Sequence, residues 1–223
     1  MSRLVLDHLF VFVEPDFVDS SEHTELRELG LNLEFGRVHV GQGTANRLAL
    51  FPDEYLELLW LADRREAERN PLRLDRRADW RPNAGDPFGV CLRGHLDPAL
   101  RERWFWPYQL TGMPAPVWIA RLGDDPRWPM LFVIDGDPEL GPRTRSHAPE
   151  LLIHPGGQTG IARATLASRG DWRRALGPLA ELLPESLRVE QGEPKLVVAL
   201  RGPAFATATI GPLSLVPASG TRA

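Results

Sequence analysis

Two side chains sit where ordinary packing would not put them. Side chains alternate across a strand, so in a strand running from Leu4 to Val13 the residues Leu6, His8, Phe10 and Phe12 share one face. An imidazole then lies in the middle of an apolar stripe. The same rule applied to Tyr55–Leu61 groups Tyr55, Glu57, Leu59 and Leu61, leaving a carboxylate at the centre of a strongly apolar strand. Burying an unpaired carboxylate costs several kcal/mol, so Glu57 must find a partner, take up a proton or hold a cation. His8 is a chemically suitable neighbour. Each also has a plainer account: a lone strand histidine is commonly a hydrogen-bonded core residue, and a strand glutamate can lie at a solvated edge.

A third polar group falls between them, in His39-Val-Gly-Gln-Gly-Thr-Ala-Asn46. Gly41 and Gly43 permit a tight turn that exposes backbone N–H groups, with His39, Thr44 and Asn46 beside it as substrate-binding candidates. The same three side chains serve equally well to tie down the backbone of a hairpin. Gly-x-Gly here lacks the third glycine and the following helix of a dinucleotide site, so no nucleotide cofactor is expected. Trp104-Phe-Trp106-Pro-Tyr108 can line a pocket or fill a core, Cys91 reads as a buried inert thiol, and no serine stands in a nucleophile-elbow setting.

The elements that must position these groups recur in a pattern. A strand Leu4–Val13 is followed by a helix capped by Ser20 or Ser21 and closed by Gly30, then by strands at 33–40, 46–51 and 55–61. A strand at 88–93 leads into a helix with Asp97 as N-cap and Pro98 at its first position, then strands at 117–122 and 130–135. A third round begins at Ile161, with a helix around Trp172, Leu176, Leu179 and Leu183 that Gly177-Pro178 must kink, and strands at 187–190, 195–201 and 206–216. The expected fold class is α+β, built of repeated β-α-β-β-β modules whose curved mixed sheets enclose a central cavity. The divisions read as a first module at 1–62, a linker at 63–87, a shortened second module at 88–136, a connection at 137–159, a third module-like unit at 160–217 and a tail at 218–223.

Composition narrows the partners. Net charge is -4, and the 26 basic residues, all arginine except Lys195, are scattered among 30 acidic ones, so no nucleic acid is expected. The run Asp63–Arg69 alternates in sign and reads as a solvated face. No apolar stretch approaches the roughly 20 residues of a spanning helix, and the N-terminus has no export signature. With Cys91 alone, no internal disulfide can form, and a soluble, cytoplasmic chain is the expectation.

Leu6-Asp-His-Leu-Phe-Val-Phe-Val13, the helix-closing Gly30, the His39–Asn46 segment and Tyr55-Leu-Glu-Leu-Leu59 together resemble, in order and spacing, the first module of the glyoxalase-like branch of the vicinal oxygen chelate superfamily. Met130–Asp135 and His154–Leu166 look similar to that branch as well. The resemblance implies paired β-α-β-β-β modules and a divalent metal ion (Zn, Ni, Fe, Mn or Mg), with His8 and Glu57 as ligands. The partner module should supply a further His and Glu, yet Gly89–Arg93 and Ile161–Thr165 contain no histidine and 206–216 no carboxylate. That ligand set is incomplete, unless Asp135 and His154 complete a displaced site. By resemblance the activity is that of a lyase, isomerase or dioxygenase on a small oxygenated molecule, with Glu57 moving a proton. The alternative is a bleomycin-resistance-like protein that holds its ligand without turnover. Relatives also imply a homodimer, a need that modules repeated within one chain reduce.

Overall fold

The computed structural model describes residues 4–142 and 148–218; residues 143–147 of the connection and 219–223 of the expected tail lie outside them. Its strands form two sheets. The first half of the larger sheet contains β1 (Val5–Phe12), α1 (Ser21–Glu28), β2 (Val38–His39), β3 (Thr44–Leu50) and β4 (Tyr55–Leu61). Short helices α2 (Arg64–Arg69), α3 (Asp75–Ala78) and α4 (Trp80–Asn83) occupy the linker, whose charge-alternating run reads in the sequence as a solvated loop or helix face. The second half contains β5 (Phe88–Gly94), α5 (Pro98–Trp104), β6 (Phe105–Tyr108), β7 (Val117–Ala120) and β8 (Met130–Asp135). Capping residues fix both main helices: the Ser20 hydroxyl accepts from the His23 N–H at 3.1 Å, and the Asp97 carboxylate accepts from the N–H groups of Ala99 and Leu100 at 3.0 Å.

The eight strands lie in the order β2-β3-β4-β1-β5-β8-β7-β6. Within each half the first strand runs parallel to the last, β1 to β4 and β5 to β8, and the halves join through the antiparallel pair β1–β5. Two modules of one connectivity therefore share a continuous curved sheet, whose inner face is the wall of a cavity.

The smaller sheet contains β9 (Gly160–Ser168), β10 (Leu187–Gln191), β11 (Lys195–Arg201), β12 (Ala208–Ile210) and β13 (Leu213–Pro217), in the order β10-β9-β11-β13-β12. Helix α6 (Trp172–Leu176) precedes β10 and gives way at Gly177 to a 3-10 turn reaching Leu182, as the Gly177-Pro178 kink requires. The four strands β10-β9-β11-β13 repeat the pairing of β4-β1-β5-β8: parallel, antiparallel, parallel. Each central antiparallel pair even carries one register irregularity, at Leu6/His8 and at Ala199/Leu200. The sheets pack through Leu9, Val11, Leu58 and Val90 on one side and Leu166, Leu196, Val198 and Leu215 on the other, with Trp172 fully buried among them.

Four sequence expectations change. The second module is not shortened, because Phe105–Tyr108 pairs with β7 as a further strand. The segment 33–40 pairs as a regular strand only at Val38–His39. Gly36 presses so close to β3 that a Cβ there would lie 2.2 Å from the Asn46 carbonyl, and the chain follows β3 through single bonds from Leu48 N–H to Phe35 O and from Asn46 N–H to Arg37 O. The strand expected at 206–216 is a hairpin broken at Gly211, where φ is 53°. Most consequential, Leu6 does not share a face with His8, Phe10 and Phe12. The extra residue Asp7 forms a β-bulge against β5, so Leu6 packs with Leu9 and Val11 in the core while Phe10 and Phe12 join the second apolar cluster and Phe10 lines the cavity.

Candidate functional site

The cavity, about 120 Å³, lies against the inner face of the larger sheet. The first module contributes the polar wall, with His8 from β1, His39 from β2, Asn46 from β3 and Glu57 from β4. Leu110, Val117, Ile119, Met130 and Phe132 of the second module face them.

The bulge determines what His8 can do. By inserting Asp7 beside it, the bulge brings a fully buried carboxylate to 2.8 Å from His8 Nδ1, which donates to Asp7 Oδ1. Asp7 Oδ2 accepts from the Arg93 guanidinium, and Arg93 also donates to the carbonyls of Pro138 and Asp53. This buried ion pair anchors Asp7, Asp7 fixes the ring, and Tyr55 stacks on it with centroids 4.2 Å apart. With Nδ1 so engaged, Nε2 is the nitrogen free to exchange a proton, 3.6 Å from Glu57 Oε2.

Glu57, 8% exposed, is held by Asn46, whose Nδ2 donates to Oε1 at 2.6 Å. The Asn46 Oδ1 in turn accepts from the Arg37 N–H at 2.9 Å. Oε1 is thereby occupied, which leaves Oε2 directed to His8. His39 stands on the Oε1 side, its Nε2 4.0 Å from Oε1 and its Nδ1 2.9 Å from Thr44 Oγ1. Burial lowers the His39 pKa from its ordinary value against the opposing pull of Glu57, and the positive charge of Arg37 lowers it further. The ring is neutral near pH 7.

Of the residues singled out in the sequence, His8, His39, Thr44, Asn46 and Glu57 come together. Asp135 and His154 do not join them. Asp135 ends β8 outside the cavity, where it accepts from the Leu96 N–H and from Arg101 and so joins α5 to the sheet. His154 is buried against the other end of β3, with Nδ1 accepting from the Asn32 N–H and Nε2 donating to the Leu50 carbonyl, both at 2.9 Å. Both of its nitrogens are spent on backbone. Residues the sequence reading passed over include Asp7, Arg93 and Glu66. Glu66, in the charge-alternating run, accepts from the N–H groups of Gly41 and Gly43 with its two oxygens, at 2.7 and 2.8 Å, so the exposed amides of that turn are already filled.

The donor set fits a resident divalent ion poorly. Ligand atoms about 2.1 Å from one ion are at most about 4.2 Å apart. His8 Nε2 with Glu57 Oε2 and His39 Nε2 with Glu57 Oε1 each satisfy this as pairs. No choice of one atom from each of the three brings them within 4.8 Å of one another, however, and Oε1 is taken by the Asn46 amide. The second module offers Cys91 opposite His8 and Phe132 beside Cys91, with no carboxylate or imidazole. Among the described residues, the one cluster of three ligand types within 4.8 Å of each other is Asp7, His8 and Cys91. There, Asp7 is already committed to Arg93 and His8 Nδ1.

Paired β-α-β-β-β modules in a curved sheet around a cavity, with the polar wall on one module, define the α+β vicinal oxygen chelate fold. The sequence matches the glyoxalase-like domain family over residues 6–183, most of the chain, and the protein belongs to that family. A hypothetical protein from Staphylococcus aureus shares the fold at a TM-score of 0.57 and 15% identity, covering 98% of this chain and 100% of that one. Methylmalonyl-CoA epimerases align over about three fifths of the chain. That of Streptomyces coelicolor, in complex with 2-nitronate-propionyl-CoA, gives a TM-score of 0.41 at 15% identity, covering 59% of this chain and 94% of that one. That of Mycobacterium tuberculosis gives 0.38 at 18%, covering 60% and 89%. No curated protein matches the sequence. No helix among the described residues is long and apolar enough to cross a membrane.

Proposed function

We propose that this glyoxalase-like protein moves a proton on a small carbonyl compound, in an isomerase- or lyase-type reaction carried by Glu57 and His8. The observation behind this reading is the 3.6 Å approach of Glu57 Oε2 to His8 Nε2 inside a cavity, with the remaining atoms of both groups immobilised by Asn46 and Asp7. General acid–base catalysis needs two proton-handling atoms at a fixed spacing and shielded from bulk water. Glu57 Oε2 takes the proton from the carbon next to the carbonyl. His8, acting as an imidazolium whose Nδ1–H is held by Asp7, donates its Nε2 proton to the carbonyl oxygen as charge develops there. The apolar wall of the second module receives the body of the molecule. No step passes through a metal ion, because the donors present do not close around one.

The apolar second wall also favours a second reading, in which the cavity holds a ligand without turnover. Deuterium exchange separates the two. Short alkyl and aryl ketones, with and without a carboxylate, are incubated with the protein in D2O and followed by NMR. Exchange at the carbon next to the carbonyl, lost in Glu57→Gln with binding retained, supports proton transfer. Binding without exchange supports the second reading.

A further inference from the structure

The cavity continues outward into a groove of about 320 Å³, and Arg37, His39, Gln42, Tyr108 and Leu110 line both. An inner chamber of about 120 Å³ is small beside the roughly 300–1,000 Å³ of ordinary small-molecule sites, so an occupant of normal size extends into the groove. Arg37 stands at the junction of the two chambers. Its backbone is fixed to β3 on both sides, its N–H donating to Asn46 Oδ1 at 2.9 Å and its carbonyl accepting from the Asn46 N–H at 3.0 Å. Its guanidinium, by contrast, has no hydrogen-bond or ion-pair partner among the described residues. Its charge reaches the site, since it lowers the His39 pKa. Other charged groups nearby are already bound: Glu66 to Gly41 and Gly43, Glu57 to Asn46. The Gln42 side chain, also at the junction, has no hydrogen-bond partner among the described residues and adds a second donor.

We infer that the substrate is an anion, a carboxylate or phosphate borne a few bonds from the reacting carbonyl, with the anionic group received by Arg37 and Gln42 at the junction of cavity and groove. An arginine fork is suited to planar two-point recognition of such groups. Asn46 links the Arg37 backbone to Glu57, so the exposed arginine side chain starts from a point fixed relative to the reacting carbon. The inference rests on the proton-transfer reading for the role of the carbonyl, and the test keeps the two apart.

The probes are 4-oxopentanoate, 5-oxohexanoate and 6-oxoheptanoate, each against its methyl ester, with binding measured by titration calorimetry and exchange by NMR in D2O. The expected result is that at least one oxo acid binds tenfold or more tighter than its ester. Arg37→Gln should abolish that preference while leaving ester binding unchanged, and added salt should weaken the oxo acid alone. Equal affinity of acids and esters, a preference that survives in Arg37→Gln, or no binding of any oxo acid overturns the inference. An Arg37-dependent preference without deuterium exchange upholds the anion site and sinks proton transfer. Exchange on acids and esters alike, without preference, does the reverse.

Discussion

Replacing Asp7 by Asn tests how the site is supported. Asp7 is fully buried and joins two groups, accepting from Arg93 on one oxygen and from His8 Nδ1 on the other. The Arg93 side chain is only 5% exposed, so an amide at position 7 leaves a guanidinium out of water with carbonyls alone for company. Breaking one side of a buried ion pair costs about 3–5 kcal/mol. For a chain of this length each kcal/mol moves the thermal midpoint by roughly 2–4 °C, so Asp7→Asn should lower it on the order of 10 °C. Replacing both partners, Asp7→Asn with Arg93→Met, removes the stranded charge. The double variant should then recover most of the loss, with a coupling well above the few tenths of a kcal/mol seen for independent sites. Scanning calorimetry and urea unfolding of the four proteins measure this. If Asp7→Asn costs less than about 1 kcal/mol, or if the double variant is simply additive, the pair is not what holds the bulge and the argument fails.

Asp86 offers a pH test. Burial raises its pKa to about 7, and one of its oxygens has no hydrogen-bond partner. A carboxyl whose folded pKa is raised contributes stability that is fully present below the ordinary carboxylate range and is lost as pH climbs through about 7. The urea midpoint should therefore fall between pH 5 and pH 8, and Asp86→Asn should flatten that fall; an unchanged slope refutes the assignment. Protein purified without chelators should carry well under one divalent ion per chain, and saturating zinc should leave its thermal midpoint unmoved, since an ion bound only to the folded chain would raise it. Stoichiometric metal that disappears in His8→Ala would contradict the donor geometry. Glu66→Ala removes the acceptor for two turn amides, so hydrogen exchange at Gly41 and Gly43 should rise at least tenfold while the core strands keep their protection.

Much of this arrangement was legible in the residues, and the gaps have identifiable causes. His8 and Glu57 stood out because polar groups at apolar positions need partners, and alternation along β4 gave the cavity face Tyr55, Glu57 and Leu59 correctly. Alternation failed on β1 because a bulge shifts parity by one residue, and nothing local marks it except a second charge, Asp7, beside the histidine. Asp135 and His154 were reasonable ligand types in the wrong places: which side of a sheet a connection crosses is decided by tertiary packing. The role of Glu66 was hidden for the same reason, since a charged helix face looks solvated until the turn it supports is seen.

The unequal division of the cavity carries a stereochemical consequence. In the proposed reaction, with Glu57 and His8 both on one wall and mostly apolar side chains on the other, a bound molecule presents a single side of its reacting carbon to Glu57. A lone base of this kind returns hydrogen to the side from which it was removed. Isotope introduced by the protein should therefore appear in only one of two mirror-related positions on a methylene carbon, and inversion of a stereocentre would require the intermediate to turn over within the pocket.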